Sequence, residues 1–375
     1  MTGEVIGVVG LGVMGLGIAQ VYAQAGCLVR ATDGGAAARE SAPLRWRDAL
    51  GARVAAGKMT AAAANATWAA LQIVETPADI GPADLVIEAI VEDLAAKRTL
   101  FASLERTGGV GTVLASNTSS LSIAGLAAGL ARPERVVGLH FFNPVAAMKL
   151  VELAGHKGTA PDALALARRV TEGAGKTVIA CADRPGFIVN RCARPFYGEA
   201  LALLEEGRSA FDIDAAMLAA GYRLGPLSLI DLVGADVNLA ATEGLYQAMG
   251  RHPRYYPFDR LRAQVATGNL GRKTGRGLVH PDQPGKPPAD AGAIAARIEA
   301  ALANEAATLV AEGGVCANDV DSAMRLGLNF PRGPFESLRR RGLAPVLAQL
   351  AQLEAAAPTH LRGRYVAAGN LKDLA

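Results

Sequence analysis

No block of basic charge stands out in this chain: 38 lysines and arginines face 35 acidic residues, for a formal net charge of +3. The electrostatic footprint of a nucleic-acid binder is therefore missing. Cysteine is scarce as well. The four present, Cys27, Cys181, Cys192 and Cys316, show no C-x-x-C or metal-ligand spacing. They read as reduced thiols of a cytoplasmic protein, which argues against both a disulfide framework and a metal site. Long runs of large apolar side chains are absent too. The positive hydropathy comes from alanine and glycine, and no stretch of about 20 residues suits a bilayer. The first residues lack the charged and apolar regions of a secretory leader, and their apolar run reads as a strand.

What is present is ample core material. With 51% apolar residues in a 375-residue chain, two or three domains are expected. Strand patterns fall at Val5–Val9, Cys27–Thr32, Asp84–Glu88, Thr112–Ser116, Val136–Phe142, Met148–Leu153 and Thr177–Ala180. Helical patterns separate them, including a long alanine-rich excursion over Arg39–Val74. Strands alternating with helices predict an α/β, Rossmann-like, doubly wound parallel sheet. After Asp183-Arg-Pro-Gly186 only helical patterns remain: Phe187–Gly207, Asp212–Gly221, Pro226–Met249 and, past a proline-rich linker at Pro281–Pro288, Ala291–Leu371. The expected domains are 1–182, 183–280 and 289–375, the last two all-α.

Those two helical blocks look like a tandem repeat. Glu199-Ala-Leu-Ala-Leu-Leu-Glu-Glu-Gly207 parallels Glu305-Ala-Ala-Thr-Leu-Val-Ala-Glu-Gly313. Asp212-Ile-Asp-Ala-Ala-Met217 parallels Asp319-Val-Asp-Ser-Ala-Met324, and Gly225-Pro226 parallels Gly333-Pro334. Asn190-Arg191 becomes Ala296-Arg297 in the second copy.

Between the first strand and a helix lies Gly10-Leu11-Gly12-Val13-Met14-Gly15, a G-x-G-x-x-G fingerprint. Gly10 allows the tight turn, Gly12 a close backbone approach to a pyrophosphate, and Gly15 close helix–strand packing. The helix N-terminus then faces the anion. Asp33 ends the second strand, where a carboxylate accepts ribose hydroxyls and repels a 2′-phosphate. The cofactor expected is NAD rather than NADP.

His140-Phe-Phe-Asn-Pro144 is followed by Glu152. If the flanking strands form a hairpin, His140 and Glu152 lie opposite each other, with Cβ atoms about 5 Å apart. A carboxylate there orients one ring nitrogen and leaves the other to take a proton from substrate. The remaining histidines, His156, His252, His280 and His360, have no such context.

These segments resemble the L-3-hydroxyacyl-CoA dehydrogenases of fatty-acid and aromatic-acid degradation. The likeness rests on Gly10–Gly17, Asp84-Leu-Val-Ile-Glu-Ala89, Ala115-Ser-Asn-Thr-Ser-Ser120, His140-Phe-Phe-Asn-Pro144 with Met148-Lys-Leu-Val-Glu152, Pro185-Gly-Phe-Ile-Val-Asn-Arg191 and Gly271-Arg-Lys-Thr-Gly-Arg-Gly277. It implies NAD-dependent oxidation of (S)-3-hydroxyacyl-CoA, with His140 as general base and Glu152 its orienting partner. By the same likeness, Ser119 and Asn190 match residues that hydrogen-bond the substrate. Glu92, Lys97, Asn143 and Lys273 match positions beside the cofactor's ribose and nicotinamide.

Plainer roles stand beside these: Ser119 as a helix cap, Glu92 and Lys97 as a surface pair, Arg53 and Lys58 as a solvated face rather than contacts to CoA phosphates. One departure from the family pattern is Leu278-Val279-His280, where an aromatic pair is usual. Gly10–Gly15 also resembles the start of 3-hydroxyisobutyrate and 6-phosphogluconate dehydrogenases. They rely on a catalytic lysine and lack His-Phe-Phe-Asn-Pro, which disfavours a free hydroxy acid as substrate. The intact His140, Glu152, Ser119 and Asn190 disfavour a non-catalytic NAD-binding protein. The partners expected are an acyl-CoA, no nucleic acid and no membrane. Either a homo-oligomer or an internal pseudo-dimer of the two helical copies is expected.

Overall fold

The computed structural model describes residues 3–375, in two compact units that divide between Arg184 and Pro185. In the first, β-branched and leucine-rich runs form an eight-stranded sheet: β1 (Val5–Val9), β2 (Leu28–Thr32), β3 (Leu71–Ile73), β4 (Leu85–Glu88), β5 (Val113–Ser116), β6 (Val136–Phe141), β7 (Leu150–Gly155) and β8 (Thr177–Ala182). The order is β3-β2-β1-β4-β5-β6-β7-β8. Every pairing is parallel except β6 with β7. Helices α1 (Val13–Gln24), α2 (Ala36–Ala55), α3 (Ala61–Ala69), α4 (Leu94–Thr107), α5 (Ile123–Ala127) and α6 (Pro161–Gly173) connect the strands. The central strands are fully buried, as expected when crossover helices cover both faces of a parallel sheet.

The long excursion after β2 differs from a single helical stretch. It breaks after α2 at Gly57, whose φ is +66°, and restarts where the Thr60 side chain caps the Ala63 N–H. It then ends in a strand, β3, whose three residues are too few to show a period.

The second unit is helical: α7 (Val189–Cys192), α8 (Arg194–Glu205), α9 (Ala210–Ala219), α10 (Pro226–Val233), α11 (Ala235–Ala248), α12 (Asp259–Ala266), α13 (Ala291–Ala311), α14 (Ala317–Leu328), α15 (Pro334–Arg341) and α16 (Leu343–Ala356). The Pro226–Met249 pattern is two helices, because Gly234 turns the chain at φ +108°. Gly342 does the same between α15 and α16 at φ +84°.

Matched positions make reciprocal contacts in this unit. Asp214 accepts from the Leu227 and Ser228 N–H groups at the start of α10, and Asp321 from Phe335 and Glu336 at the start of α15. Arg191 binds Glu305 at 2.6 Å and Glu312 with both terminal nitrogens. Arg297 likewise binds Glu199 at 2.8 Å and Glu206. Tyr255 and Arg254 complete the shell of Glu305, as Tyr365 and Arg364 do for Glu199. Burial opposes the charge on Glu199, but Arg364 and Arg297 outweigh it and hold its pKa below the usual carboxylate range. Among the described residues, no helix is long and apolar enough to cross a membrane.

Candidate active site

The loop from β1 to α1 has the form its glycines dictate. Gly10 sits at φ +105°, and a Cβ there would lie 2.5 Å from the Ala89 carbonyl oxygen. A Cβ on Gly15 would approach the Gly10 oxygen to 1.7 Å. Around Gly12, by contrast, an added Cβ meets nothing within 4 Å. That open cradle adjoins the start of α1, whose first intrahelical bond runs from the Leu16 N–H to Gly12. The N–H groups of Val13, Met14 and Gly15 precede it, and no side chain caps the helix. Donors and space are thus those a pyrophosphate needs. Asp33, half-buried just after β2, accepts the Leu11 N–H at 2.8 Å and so fastens the glycine loop to the end of that strand.

The hairpin expectation is met residue for residue: β6 and β7 are antiparallel and His140 pairs with Glu152. His140 Nδ1 lies 2.7 Å from Glu152 Oε2. Glu152 is fully buried, His140 is 7% exposed, and the Phe142 ring packs 4.5 Å from the imidazole. Asn143 is exposed in the connection after β6. The connection itself is a tight turn in which Pro144 accepts the Ala147 and Met148 N–H groups, so β7 starts at Leu150 rather than Met148. Lys176, just before β8, closes it by donating to the carbonyls of Val145 (2.5 Å) and Met148 (2.8 Å). Val145 in turn packs on α1 at Gly17, where a Cβ would come within 2.9 Å of it.

Glu92 and Lys97 are not a solvated surface pair. Lys97 is 1% exposed and bridges Glu88 (2.8 Å) and Glu92 (2.9 Å). Glu88, fully buried at the end of β4, also accepts from Ser116 and the Ile90 N–H. Glu92 Oε1 gathers Thr118 Oγ1, the Ser119 N–H and Ser120 Oγ. Burial works against its charge, but the bonds from Thr118, Lys97 and Ser120 prevail and lower its pKa. A line of contacts thereby runs from Glu88 through Lys97 and Glu92 to the backbone of Ser119. Ser119 is not the helix cap; Ser122 caps α5, accepting from the Gly125 N–H.

Arg53 is half-buried in the last turn of α2 and Lys58 is exposed beyond it. In the helical unit, Asn190 is half-buried on α7 and its carbonyl accepts from Arg194 Nε. Lys273 is half-exposed and ion-paired with Asp236, whose pKa it lowers. Leu278, Val279 and His280 turn their N–H groups onto the buried Asp231, so the segment without the aromatic pair is still anchored through its backbone. Sequence reasoning missed Glu88, Lys176, whose partners are remote, and Arg194.

The family model described as "3-hydroxyacyl-CoA dehydrogenase, NAD binding domain" matches residues 5–184. The companion model, "3-hydroxyacyl-CoA dehydrogenase, C-terminal domain", matches twice, at 186–280 and 292–373. A 3-hydroxyadipyl-CoA dehydrogenase of Escherichia coli is 42% identical over 277 residues, 73% of this chain but 58% of that protein's length. A probable 3-hydroxybutyryl-CoA dehydrogenase of Bacillus subtilis is 41% identical over 277 residues, covering 72% of this chain and 95% of the relative. The crystal structure of an Escherichia coli 3-hydroxybutyryl-CoA dehydrogenase superposes over 100% of this chain and 98% of its own, with a TM-score of 0.91 and 31% identity.

Proposed function

From a chain that belongs to the 3-hydroxyacyl-CoA dehydrogenase family, we propose NAD-dependent oxidation of (S)-3-hydroxyacyl-CoA to the 3-oxoacyl-CoA. The observation that carries this reading is the buried His140–Glu152 pair at 2.7 Å. Glu152 orients the ring through Nδ1 and stabilises the imidazolium once formed. Nε2 is then the atom that takes the 3-hydroxyl proton. Ser119 and Asn190 donate to the oxygen as charge develops on it, a role that suits neutral donors. Bound NAD would supply the acceptor for the hydride leaving C3. Gly10, Leu11, Gly12, Val13, Met14 and Gly15 hold its pyrophosphate, and Asp33 its ribose. Glu92, Asn143 and Lys273 serve the nicotinamide side, and Lys97, enclosed by two carboxylates, acts there through Glu92.

The two helical copies form an internal pseudo-dimer. The reciprocal clusters around Glu199 and Glu305 support this, because each copy supplies what neutralises the other's buried acid. The working compartment is the cytoplasm, in keeping with four thiols and no disulfide. The test is turnover: NADH with acetoacetyl-CoA, or NAD with (S)-3-hydroxybutyryl-CoA, followed by nicotinamide absorbance. Tight NAD binding with no turnover of any acyl-CoA would end the reading.

A further inference from the structure

Arg194 is a buried cation without a counter-ion. It is 7% exposed at the start of α8, and among the described residues no carboxylate lies within ion-pairing distance. Its contacts are all to neutral groups. Nε donates to the Asn190 carbonyl at 3.0 Å, Nη1 to Thr242 Oγ1 at 2.9 Å and more weakly to the Asn238 carbonyl, and the guanidinium lies 4.9 Å from the Tyr197 ring centre. Nη2 makes no hydrogen bond among the described residues. The side-chain oxygen of Asn238, a residue 3% exposed whose carbonyl faces Nη1, lacks a partner among the described residues. Every other deeply buried arginine in this unit is matched with glutamate: Arg191 with Glu305 and Glu312, Arg297 with Glu199 and Glu206, Arg254 with Glu305 and Arg364 with Glu199. Burying a guanidinium without an anion is unfavourable. Burial accordingly disfavours its charged form.

The tandem repeat provides an internal control. Where the first copy has Asn190, Arg194, Asn238 and Thr242, the matched positions of the second are Ala296, Ala300, Val346 and Leu350. Tyr197, which carries the guanidinium, becomes Ala303. Ala300, Ala303, Val346 and Leu350 are all buried. The structural residues, Arg191/Arg297, Glu199/Glu305, Glu206/Glu312 and Asp214/Asp321, are kept in both. The helical fold thus forms with this whole polar group replaced by apolar side chains. The group therefore serves something the fold does not need, and it occurs only in the copy that carries Asn190.

We propose that Arg194 receives a second carboxylate at the far end of the acyl group, making 3-hydroxydicarboxylyl-CoA thioesters the preferred substrates. The inference rests on the reading above that Asn190 faces the reacting oxygen. Arg194 follows Asn190 by four residues, across the junction of α7 and α8, and its Nε is fixed on the Asn190 carbonyl. A carboxylate a few carbon atoms past C3 meets Nη2, in the geometry for which guanidinium is suited. A methyl-ended chain leaves that charge uncompensated.

The experiment compares two six-carbon substrates differing only at the end, 3-hydroxyadipyl-CoA and (S)-3-hydroxyhexanoyl-CoA. The parent enzyme should favour the first in kcat/KM by at least tenfold. In Arg194→Met the ratio should collapse below one, with the loss on the dicarboxylyl substrate carried by KM, and Arg194→Lys should restore part of it. Equal kcat/KM for both substrates in the parent, or equal losses in Arg194→Met, overturn the inference while leaving the dehydrogenase reading intact. Turnover of neither substrate ends both. Should the variants fail to fold, inhibition of the parent enzyme decides. Adipyl-CoA must bind at least tenfold more tightly than hexanoyl-CoA, and comparable inhibition constants refute a carboxylate receptor.

Discussion

At the scale of single residues, catalysis is assigned to a proton acceptor whose orientation is fixed from behind. Replacing His140 by Gln keeps a polar group of similar size but removes the base. The kcat should fall by about 10²–10⁴-fold, while NADH affinity, measured by fluorescence titration, stays within a few-fold. Activity close to the parent's would show that another group takes the proton. Asp33 supports a second expectation. Its carboxylate holds the Leu11 N–H, and in the function proposed above it also sets a negative charge where a 2′-phosphate would lie. In Asp33→Ala the KM for NAD should rise and the NAD/NADP ratio of kcat/KM should move toward one. An unchanged ratio would place cofactor selection elsewhere.

At the scale of elements, the legible parts of the chain were those in which period and chemistry are both local. The hairpin of β6 and β7 was readable because twelve residues separate His140 from Glu152 across a turn at Asn143-Pro144, and the register follows. The hub at Glu88 was not. A glutamate ending an apolar strand gives no sign that it will be wholly buried, and Lys97 reaches it from the next helix. Lys176 was hidden for a different reason: its partners are backbone carbonyls about thirty residues earlier, which leave no trace in side-chain pattern.

Its role can nevertheless be tested. Lys176→Met removes the donor that holds the turn between His140 and β7 and seats Val145 against Gly17. Small displacements of catalytic groups are costly, so kcat should fall by about 10–100-fold, with Lys176→Arg less affected. A pH dependence accompanies it. Burial, helped by the Lys149 charge, lowers the Lys176 pKa to about 8. Between that value and an unfolded-state value of about 10.4, the folded chain binds fewer protons than the unfolded chain. Stability therefore rises with pH in this window. Relative to Lys176→Met, the parent should gain unfolding free energy between pH 7.5 and pH 10 in urea titrations. A constant difference would place the lysine's titration outside that range.

At the scale of the whole chain, the informative feature is the repeat, and only part of it could be read in advance. The matched Glu, Gly and Pro positions were visible in the letters, and the companion family model matches both stretches. What the letters did not show is that the matched residues exchange partners: Arg191 with Glu305, Arg297 with Glu199. Pairing of that kind depends on which faces of α8 and α13 meet, which a linear pattern leaves open. The exchange predicts the outcome of a truncation. Ending the chain after Pro288 removes α13, most of whose length is buried, and uncovers the apolar faces of α8 and α9 against which it packs. It also strips Glu199 of Arg297 and Arg364, and Arg191 of Glu305 and Glu312, leaving buried charges uncompensated. Breaking one partner from such a pair typically costs about 3–5 kcal/mol. The shortened chain has one relief, which is to find the same faces on a second copy of itself. It should sediment as a dimer or aggregate, and sedimentation velocity should show the dimer dissociating when Glu199→Gln is added, because the acid that a partner's arginines would meet is then gone. A monomeric, stable and fully active truncation would mean that the second copy is an appendage rather than the other half of a pair.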